Sequence, residues 1–434
     1  MKNTVFSHKV VRALRILGRN GVKSLANPVA AFREYIMEAR YENIISSIRK
    51  MDFSDHDIEE NRELMLRFNT VKNLDVKTIN WFLPCFNHPY GGIYTILRFA
   101  EYFKETKGVR NNLIICGDPR QLSTNPSVQV GKVFPKLSEG LIILGNNNVD
   151  SLPESDICIA TDWTSAYYAL KYNKAQGKFY FIQDYEPLFF PASSMSGLAE
   201  ATYRFGFRGI INTPGLCDLY AHDYSGVATC FVPSVDSKVF FPSKRELHKP
   251  SLNNPFRVFF YARPTVPRNG FELAALALEA IKKKYGNNVK IYTAGANWNP
   301  QTYKLEKTIT NLGVLPYKRT GDLYRNCDLG LVFMFTKHPS YLPFELMACG
   351  CPVLTNYNPA TKWFLKDRTN CLLTEPTPTS ICQKIEILMN DTELQKNVIS
   401  NGLREMQKEN WEREMEKIYS FICNTSKSKE GNEN

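Results

Sequence analysis

The sequence predicts an α/β protein in which two doubly wound, Rossmann-like domains face each other across a cleft. Short apolar segments alternate with amphipathic segments along most of the chain, which favours parallel sheets covered by helices on both faces. The alternation occurs twice, before and after a Pro- and Lys-rich stretch that is typical of a linker, FFPSKRELHKPSLNNP. A chain of 434 residues, 43% of them hydrophobic, is long enough to build two cores.

The chain begins with a predicted helical extension, residues 1–75. Within residues 1–25, basic side chains fall on one stripe of a helix and apolar side chains lie roughly opposite. Such a helix can lie on an anionic membrane or pack its apolar side on the protein body, and the pattern leaves both alternatives open. Asp55 and Asp57 form a D-x-D pattern that can hold a metal, but they precede a helical segment, where helix capping is the ordinary role of an acid.

The first α/β domain is predicted for residues 76–240. A helix follows its first strand and ends at Gly108, because glycine readily adopts the left-handed conformation that terminates a helix. A second helix, TSAYYALKYN, precedes the most apolar strand. The predicted strands are INWFLPCF, NNLIICGD, GLIILG, DICIAT, GKFYFIQD, GIINTPG and ATCFVP.

The second α/β domain is predicted for residues 255–400, with a long helix that ends at Gly286. The predicted strands are RVFFYA, VKIYTAG, DLGLVFM, CPVLTN and NCLLT. Helices in residues 401–423 are predicted to pack back toward the first domain, and residues 424–434 are predicted to be a disordered tail.

Charge and cysteine usage limit the class of protein. The formal net charge of +11 favours affinity for phosphate groups, on a nucleotide or on an anionic membrane, and no nucleic-acid partner is predicted. No run of about eighteen apolar residues is present, and the first residues lack the apolar core of a secretory signal. The eleven cysteines form no CxxC pairs. We therefore expect a cytoplasmic protein, with peripheral association at the inner face of the plasma membrane as a further expectation.

Two loops at the carboxyl ends of predicted strands carry glycines or acids, at the edge where ligands of open parallel sheets bind. In HPYGGIYTIL, Gly91 and Gly92 end a strand and open a helix, so backbone N–H groups can approach an anion; a tight turn without a ligand is the alternative. In FIQDYEPLFFP, Asp184 and Glu186 follow a buried strand and can contact a polar ligand; surface solvation is the alternative.

Two further strand-end loops carry arginines and a single acid. In YARPTVPRNGFEL, Arg263 and Arg268 lie between a strand and a helix, where guanidinium groups and the helix dipole suit a phosphate; a surface salt bridge is the alternative. In HPSYLPFELMACGCPVLTN, Ser340 is predicted to cap a short helix that begins near Pro343. Glu345 lies in the first turn of that helix, where it can accept sugar hydroxyls or stabilise the helix dipole.

Several segments resemble a known family. FVPSVDSKVFFP, FYARPTVPRNGFELAALALEAI and PSYLPFELMACGCPVLTN occur in the order seen in the C-terminal half of family-4 retaining glycosyltransferases of the GT-B fold. FLPCFNHPYGGIYTILRFAEYF and YFIQDYEPLFFPASS are similar, more narrowly, to the WsaF-type rhamnosyltransferases of bacterial surface-glycan assembly. The resemblance covers about residues 79–420 and implies a GT-B fold with an N-terminal helical extension.

The resemblance implies binding roles. Glu345 matches the second acid of the family's E-x7-E motif, which binds the nucleotide ribose, and Gly91 with Gly92 matches a glycine loop near acceptor and phosphate. The family's lysine falls at Asn269, so the neighbouring arginine is expected to supply that charge. The residues implied to contact the donor diphosphate are Arg263, Arg268, Ser340 and Tyr341.

Catalytic help is expected from Asp184, Glu186 and Arg263, since the resemblance places the first two near a catalytic pair of the family. The first acid of E-x7-E falls at Lys337, which departs from the pattern. Donor recognition is therefore expected to differ, through His338, Ser340 or nearby backbone amides.

The resemblance implies a retaining, metal-independent glycosyltransferase without a cofactor. The expected donor is a nucleotide sugar, dTDP-rhamnose as the first choice, and the expected acceptor is a glycan or lipid-linked oligosaccharide of an O-antigen or capsule. A non-catalytic nucleotide-sugar or glycan-binding protein and a GT-B nucleotide-sugar epimerase remain alternatives, the former because of Lys337. A nicotinamide oxidoreductase is disfavoured because no G-x-G-x-x-G opens a strand–helix unit.

Overall fold

The computed structural model describes residues 28–89, 91–144, 148–243, 247–408 and 410–424. The basic helix predicted within residues 1–25 lies outside these ranges, and so does the predicted tail after residue 424.

Two helices precede the first strand, α1 (Pro28–Lys50) and α2 (Asp55–Phe68). α2 begins with a capping box, in which the Asp57 carboxylate accepts from the backbone N–H of Ser54 at 2.7 Å and the Ser54 hydroxyl accepts from the N–H of Asp57. The capping interpretation of this acid is therefore confirmed. At the other end of α2, a Cβ on Gly177 would lie 2.4 Å from the Phe68 ring, so the helix packs directly on the first sheet.

The first sheet has seven parallel strands in the order β3-β2-β1-β4-β5-β6-β7. Successive residues Trp81 and Phe82 of β1 lie in two different cores, one on each face of the sheet, because strand side chains alternate in direction. The strands are β1 (Thr78–Pro84), β2 (Arg110–Cys116), β3 (Leu141–Ile143), β4 (Ser155–Ala160), β5 (Ala175–Ile182), β6 (Arg208–Asn212) and β7 (Ala228–Phe231). The helices around it are α3 (Gly92–Lys107), α4 (Pro126–Val133), α5 (Trp163–Lys171), α6 (Ser194–Ala201) and α7 (Pro214–Tyr224).

The second sheet has six parallel strands in the order β10-β9-β8-β11-β12-β13. The strands are β8 (Phe256–Tyr261), β9 (Val289–Ala294), β10 (Thr310–Asn311), β11 (Leu329–Leu331), β12 (Val353–Asn356) and β13 (Leu372–Thr374). The helices are α8 (Phe271–Tyr285), α9 (Tyr317–Arg325), α10 (Leu342–Ala348), α11 (Pro378–Asn390), α12 (Thr392–Met406) and α13 (Trp411–Cys423). The prediction of two doubly wound α/β halves is confirmed.

The strand order reverses once in each sheet, between β1 and β4 in the first and between β8 and β11 in the second. At such a point the loops leaving neighbouring strands diverge to opposite faces and open a crevice at the carboxyl edge. The loop after β1 is the predicted glycine loop, and the loop after β8 carries the predicted arginines. The reversal points therefore place the candidate residues of each half at a crevice.

The last helix returns to the first half of the molecule. Met415, Ile418 and Ile422 of α13 are buried in a core of the first sheet, and the Trp411 ring lies 6.3 Å from the Phe99 ring. The chain end thus packs on the domain with which the fold begins.

Candidate active site between the two sheets

The glycine loop after β1 lies against the end of β5. Gly91 has a φ of 53°, in the left-handed region that favours glycine, and it precedes the first residue of α3. The Gly92 carbonyl accepts a hydrogen bond from Gln183 Nε2 at 3.1 Å, and a Cβ on Gly92 would lie 2.8 Å from that nitrogen. Glycine is needed here so that the two strand ends approach and the N-terminus of α3 faces the sheet edge.

Asp184 follows β5 and lies where the two halves of the molecule meet. Burial raises the pKa of Asp184 to about 6, while the nearby Thr336 hydroxyl, the Tyr185 N–H and the Arg268 charge act to lower it. The Tyr185 N–H donates to the carboxylate at 2.8 Å. Because Thr336 and Arg268 belong to the second half, the structure brings this predicted acid to the cleft.

Glu186 is held by the interior of the first half. Its Oε2 accepts hydrogen bonds from the Trp163 N–H at 2.7 Å and from the Tyr180 hydroxyl at 2.8 Å. Burial, together with the neighbouring Asp162 carboxylate, raises the pKa of Glu186 well above its ordinary value. Both hydrogen-bond partners belong to the first half, so the geometry favours a structural role for this acid and leaves the catalytic prediction with Asp184.

Arg263 and Arg268 lie in the loop after β8, and Arg268 contacts the first half. The guanidinium of Arg268 lies 4.1 Å from the centre of the Phe189 ring, and Arg263 Nη1 lies 3.4 Å from the Tyr261 hydroxyl. Burial lowers the pKa of Arg268, and the nearby Arg263 charge lowers it further. Within the described ranges neither arginine forms an ion pair with a carboxylate. Two adjacent cations without a paired anion favour an anionic ligand.

Asn269 stands where the resemblance expects a lysine. The side chain is buried, and its amide donates to the Phe333 carbonyl at 3.3 Å. Asn269 therefore fastens the loop to the end of β11, and the positive charge at this place comes from the preceding arginine.

The loop between β11 and α10 is tightly folded around His338 and Ser340. Ser340 has a φ of 67°, a strained value for a residue with a side chain, and its N–H donates to His338 Nδ1 at 2.9 Å. Because Nδ1 accepts this bond, the proton of the neutral ring is on Nε2. Burial lowers the pKa of His338 to about 3, so the ring is neutral at physiological pH. Tyr341 occupies the N-cap position of α10, while the Ser340 hydroxyl, one residue earlier, accepts from the N–H of Leu342, the first residue of that helix, at 3.5 Å.

Tyr341 bridges the two halves. Its hydroxyl accepts hydrogen bonds from the Thr95 hydroxyl at 2.9 Å and from Asn212 Nδ2 at 2.8 Å. Both donors belong to the first half and are buried. The Tyr341 hydroxyl therefore has hydrogen-bond partners within the protein itself, and it lies where the two lobes touch.

Glu345 is the fourth residue of α10, and no cation in the described part of the chain forms an ion pair with it. Burial raises the pKa of Glu345 to about 8, and no hydrogen bond or charge from the described residues contributes to that shift. Burial and then the Glu345 carboxylate raise the pKa values of Tyr317 and Tyr324, so both rings lie near it. Glu345 as a residue is half-buried, and a buried acid group without a partner at such a place points to a ligand.

Buried polar atoms without hydrogen bonds concentrate at the facing strand ends in the described part of the chain. Such atoms are rare in native proteins, because each costs free energy unless a partner binds. Those at the cleft are Gln183 Oε1, Asn212 Oδ1, Thr213 Oγ1, Arg268 Nε, Thr336 Oγ1 and His338 Nε2. A ligand rich in hydroxyl and phosphate groups would satisfy several of them. The Thr336 hydroxyl lies close enough to the Asp184 carboxylate to lower its pKa, but the two groups do not reach hydrogen-bonding geometry.

The sequence analysis did not predict four of these residues as part of a site: Gln183, Asn212, Thr213 and Thr336. Gln183 precedes Asp184, and the segment NTPG directly follows the apolar residues of β6, so the strand-end rule could have identified them. Among the described residues, no three His, Cys, Asp or Glu side chains are grouped so that they could hold a metal ion.

Family models match both halves of the chain. The model described as "WsaF, N-terminal domain" matches residues 73–213, and the model described as "WsaF, C-terminal domain" matches residues 256–386. The O-antigen biosynthesis protein RfbC of Myxococcus xanthus is 39% identical over 411 residues, which cover 93% of this chain and 32% of that protein. The chain thus spans about a third of the length of this curated relative.

Solved structures share the architecture. The sucrose-phosphate synthase of Thermosynechococcus elongatus superposes with a TM-score of 0.60 at 15% identity, covering 80% of this chain and 98% of that chain. HepE of Anabaena, in complex with UDP and glucose, also gives a TM-score of 0.60 at 15% identity, covering 80% and 99%. At this identity the likeness shows the fold alone, which is GT-B: two Rossmann-like domains facing a cleft.

Proposed function

The chain belongs to the WsaF family, and from this premise we propose that it is a glycosyltransferase that moves a sugar from a nucleoside-diphosphate sugar to a growing surface polysaccharide. The observation that carries the proposal is the unpaired carboxyl group of Glu345 in the cleft. Both hydroxyls of a ribose can donate hydrogen bonds to the oxygens of this group, which would favour its ionised form and offset the cost of its burial. The names of relatives add support, since one acts in O-antigen biosynthesis and another was crystallised with UDP and glucose.

The diphosphate is proposed to lie between Arg263 and Arg268, near the N-terminus of α8. Guanidinium groups bind phosphate oxygens in a bidentate manner, and the free N–H groups of a helix start add to the attraction. Neither arginine is among the groups that shift the pKa of Glu345, so the diphosphate and ribose positions are separate points of one cleft. Gly91 and Gly92 would face the same ligand from the opposite lobe through the start of α3.

These groups suggest how transfer would proceed. Negative charge builds on the departing diphosphate, and fixed cations aimed at it stabilise that charge without reorganising. Asp184 is ionised at neutral pH, given its pKa of about 6, and can accept a hydrogen bond or proton from the acceptor hydroxyl. Contact between the lobes aligns the two substrates and excludes water that would hydrolyse the donor. Retention of configuration and independence from metal ions are proposed from the family resemblance.

The donor is proposed to be dTDP-rhamnose, and the acceptor a glycan or a lipid-linked oligosaccharide of an O-antigen or capsule. Lys337 stands where the family has an acid, so the donor sugar would meet a different set of groups, including the buried Nε2–H of His338. The same lysine favours a second candidate, a protein that binds nucleotide sugar without turning it over.

The test is a panel of nucleotide sugars screened for thermal stabilisation, followed by transfer assays with the best ligand on lipid-linked or synthetic glycans. We expect one nucleotide class to raise Tm and its sugar to be transferred. Arg263→Ala should abolish both effects while the unliganded Tm stays unchanged, and Arg404→Ala, at an exposed position of α12, is the matched control. A fully active Arg263→Ala variant would remove the phosphate assignment. Stabilisation without any transfer would favour the second candidate.

The enzyme is proposed to be cytoplasmic, with residues 1–25 holding it on an anionic membrane. Support comes from the charge pattern of the sequence, in which residues 1–25 contain basic but no acidic side chains. In the described part of the chain, no helix combines the length and the apolar character needed to cross a bilayer. Deleting residues 1–25 should release the protein from phosphatidylglycerol vesicles in a sedimentation assay. Equal binding of the shortened chain, or equal binding to phosphatidylcholine, would refute the anchor.

A further inference from the structure

The two lobes are in direct contact at the cleft, and the Tyr341 side chain joins them through two hydrogen bonds. Its hydroxyl receives one hydrogen bond from Thr95 on α3, at 2.9 Å, and one from Asn212 at the end of β6, at 2.8 Å. The side chains of Thr95 and Asn212 are 4% and 0% exposed, so neither bond is readily replaced by solvent. One phenol oxygen of the second lobe is therefore hydrogen-bonded to two elements of the first lobe, α3 and the end of β6.

Other contacts show the same closed arrangement independently. A Cβ on Gly215, in the first lobe, would lie 2.1 Å from the carbonyl oxygen of Ala360 in the second, so the two backbones touch. The rings of Tyr94 and Tyr317 stack across the gap with centres 5.4 Å apart. The closed arrangement of the lobes is therefore supported by contacts other than those of the Tyr341 side chain.

Tyr341 is also connected to Glu345 through the backbone. It occupies the N-cap position of α10, and its carbonyl accepts the N–H of Glu345 at 3.1 Å, the first hydrogen bond of that helix. Ser340, the residue before it, has a strained φ of 67°. Strain of this kind persists only where the surroundings impose it. The two hydrogen bonds from the first lobe are well placed to impose the strain on Ser340, because they fix Tyr341, the residue that follows it.

We propose that Tyr341 is a positioning residue that couples closure of the lobes to the geometry of Glu345. With the lobes apart, the hydroxyl loses both donors, and the strained loop and the first turn of α10 relax. With the lobes together, the loop and the acid adopt the form that accepts the nucleotide ribose. This inference rests on the proposed function, since it names a residue that regulates the same nucleotide site.

Two hydrogen bonds of this kind shift a two-state equilibrium by about ten- to a hundredfold. A latch of that size biases closure but leaves the lobes free to open for substrate exchange. Nucleotide binding and closure should therefore reinforce each other, because both favour the same state.

The test uses Tyr341→Phe in the full-length chain. Tyr303→Phe is the matched control, because Tyr303 is 42% exposed and its ring packs on Phe271 and Trp298 of its own lobe. Small-angle X-ray scattering without ligand should give a larger radius of gyration for Tyr341→Phe than for the wild type or the control. Calorimetry should show about tenfold weaker binding of the stabilising nucleotide, and saturating nucleotide should return the variant to the wild-type radius.

A double-mutant cycle separates a latch from a general packing role. Thr95→Val removes one donor with little change in shape, and it should cost nucleotide affinity in the wild type but little more in the Tyr341→Phe background. Additive effects, or an unchanged radius and affinity in Tyr341→Phe, would overturn the proposal. If the wild type binds no nucleotide, the proposed function fails, and the ligand-free scattering comparison still decides whether Tyr341 fastens the lobes.

Discussion

At the scale of single residues, the carboxyl group of Glu345 costs the unliganded protein stability. Its pKa is raised from 4.5 to about 8, so the folded state holds a proton that the unfolded state has lost between those values. Stability linked to this group is fully present below pH 4.5 and falls as the pH rises through 8. An acid that only stabilised its helix would show the opposite trend, with a lowered pKa.

Glu345→Gln should therefore raise Tm by a few degrees at pH 9 and change it little at pH 4.5, because glutamine has no charge to bury. The same variant should lose most nucleotide binding. Thermal unfolding at the two pH values, with and without nucleotide, measures both effects. Glu279→Gln, at an exposed position of α8, is the control. A fall in Tm at pH 9 would show that Glu345 is a structural group.

Asp184 should define the acidic limb of the rate profile. Its pKa is about 6, so the carboxylate form that can accept a proton is lost below that pH. We expect kcat/KM of the wild type to fall below pH 6, and Asp184→Asn to be slower by about a hundredfold with no such limb. Transfer rates between pH 5 and 8 give the profile. A variant that keeps both rate and limb would exclude Asp184 from the chemistry.

The sequence predicts where these residues lie in the fold, but it does not predict which groups surround each of them. The strand-end rule and the ordered motifs placed Asp184 beyond the carboxyl edge of the first sheet, and Arg263 and Glu345 beyond that of the second, because the carboxyl ends of parallel strands within a sheet share an edge. Whether an acid meets a cation depends on long-range contacts that spacing along the chain does not encode. For this reason the interior position of Glu186, two residues from Asp184, became visible only in three dimensions.

At the scale of elements, Glu186 supports the start of α5. Its carboxyl group accepts the N–H of Trp163, the first residue of that helix, and also the Tyr180 hydroxyl on β5. Glu186→Ala leaves both donors buried without a partner. We expect a loss of about 1–3 kcal/mol in the free energy of unfolding, measured by urea denaturation, with transfer by the folded fraction retained.

Glu186→Gln keeps an acceptor oxygen and should restore most of the stability, which makes it the control. Abolished transfer in an alanine variant of unchanged stability would reverse the assignment and return Glu186 to the catalytic group.

Helix and strand positions followed from local signals where those signals are strong. Gly108 and Gly286 end α3 and α8 with positive φ values, as the sequence predicts. β10 has two residues and was not predicted, because so short an edge strand carries no periodic pattern. Ser340, the predicted cap of α10, lies one residue before the N-cap and has a φ of 67°, a value that local propensity does not predict for serine.

At the scale of the whole molecule, the proposed transfer requires the lobes to meet. Gly215 opens α7 beside Pro214, and a side chain there would collide with the Ala360 carbonyl oxygen at 2.1 Å. Gly215→Ala should leave each lobe folded, because alanine favours the helix, but should hold the lobes apart. We expect a larger radius of gyration in scattering and a transfer rate lower by about tenfold or more.

Gly197→Ala in α6 is the matched control, since nothing lies within 4 Å of a Cβ at that position. Wild-type transfer by Gly215→Ala, with an unchanged radius, would mean that closure at this contact is not needed for activity.

The architecture itself was predictable because two alternating series of strands and helices allow few arrangements. The return of a C-terminal helix to the first domain was predicted within residues 401–423, but the individual contacts of α13 were not, since they join residues more than 300 positions apart, such as Trp411 and Phe99. Such contacts have no signature in a local window of sequence.

The most direct measurement is a crystal structure of the full chain with a nucleoside diphosphate bound. We expect diphosphate oxygens within hydrogen-bonding distance of the Arg263 and Arg268 guanidinium groups and both ribose hydroxyls on the Glu345 carboxylate. A nucleotide bound elsewhere, or these three side chains directed away from it, would contradict the proposed nucleotide site.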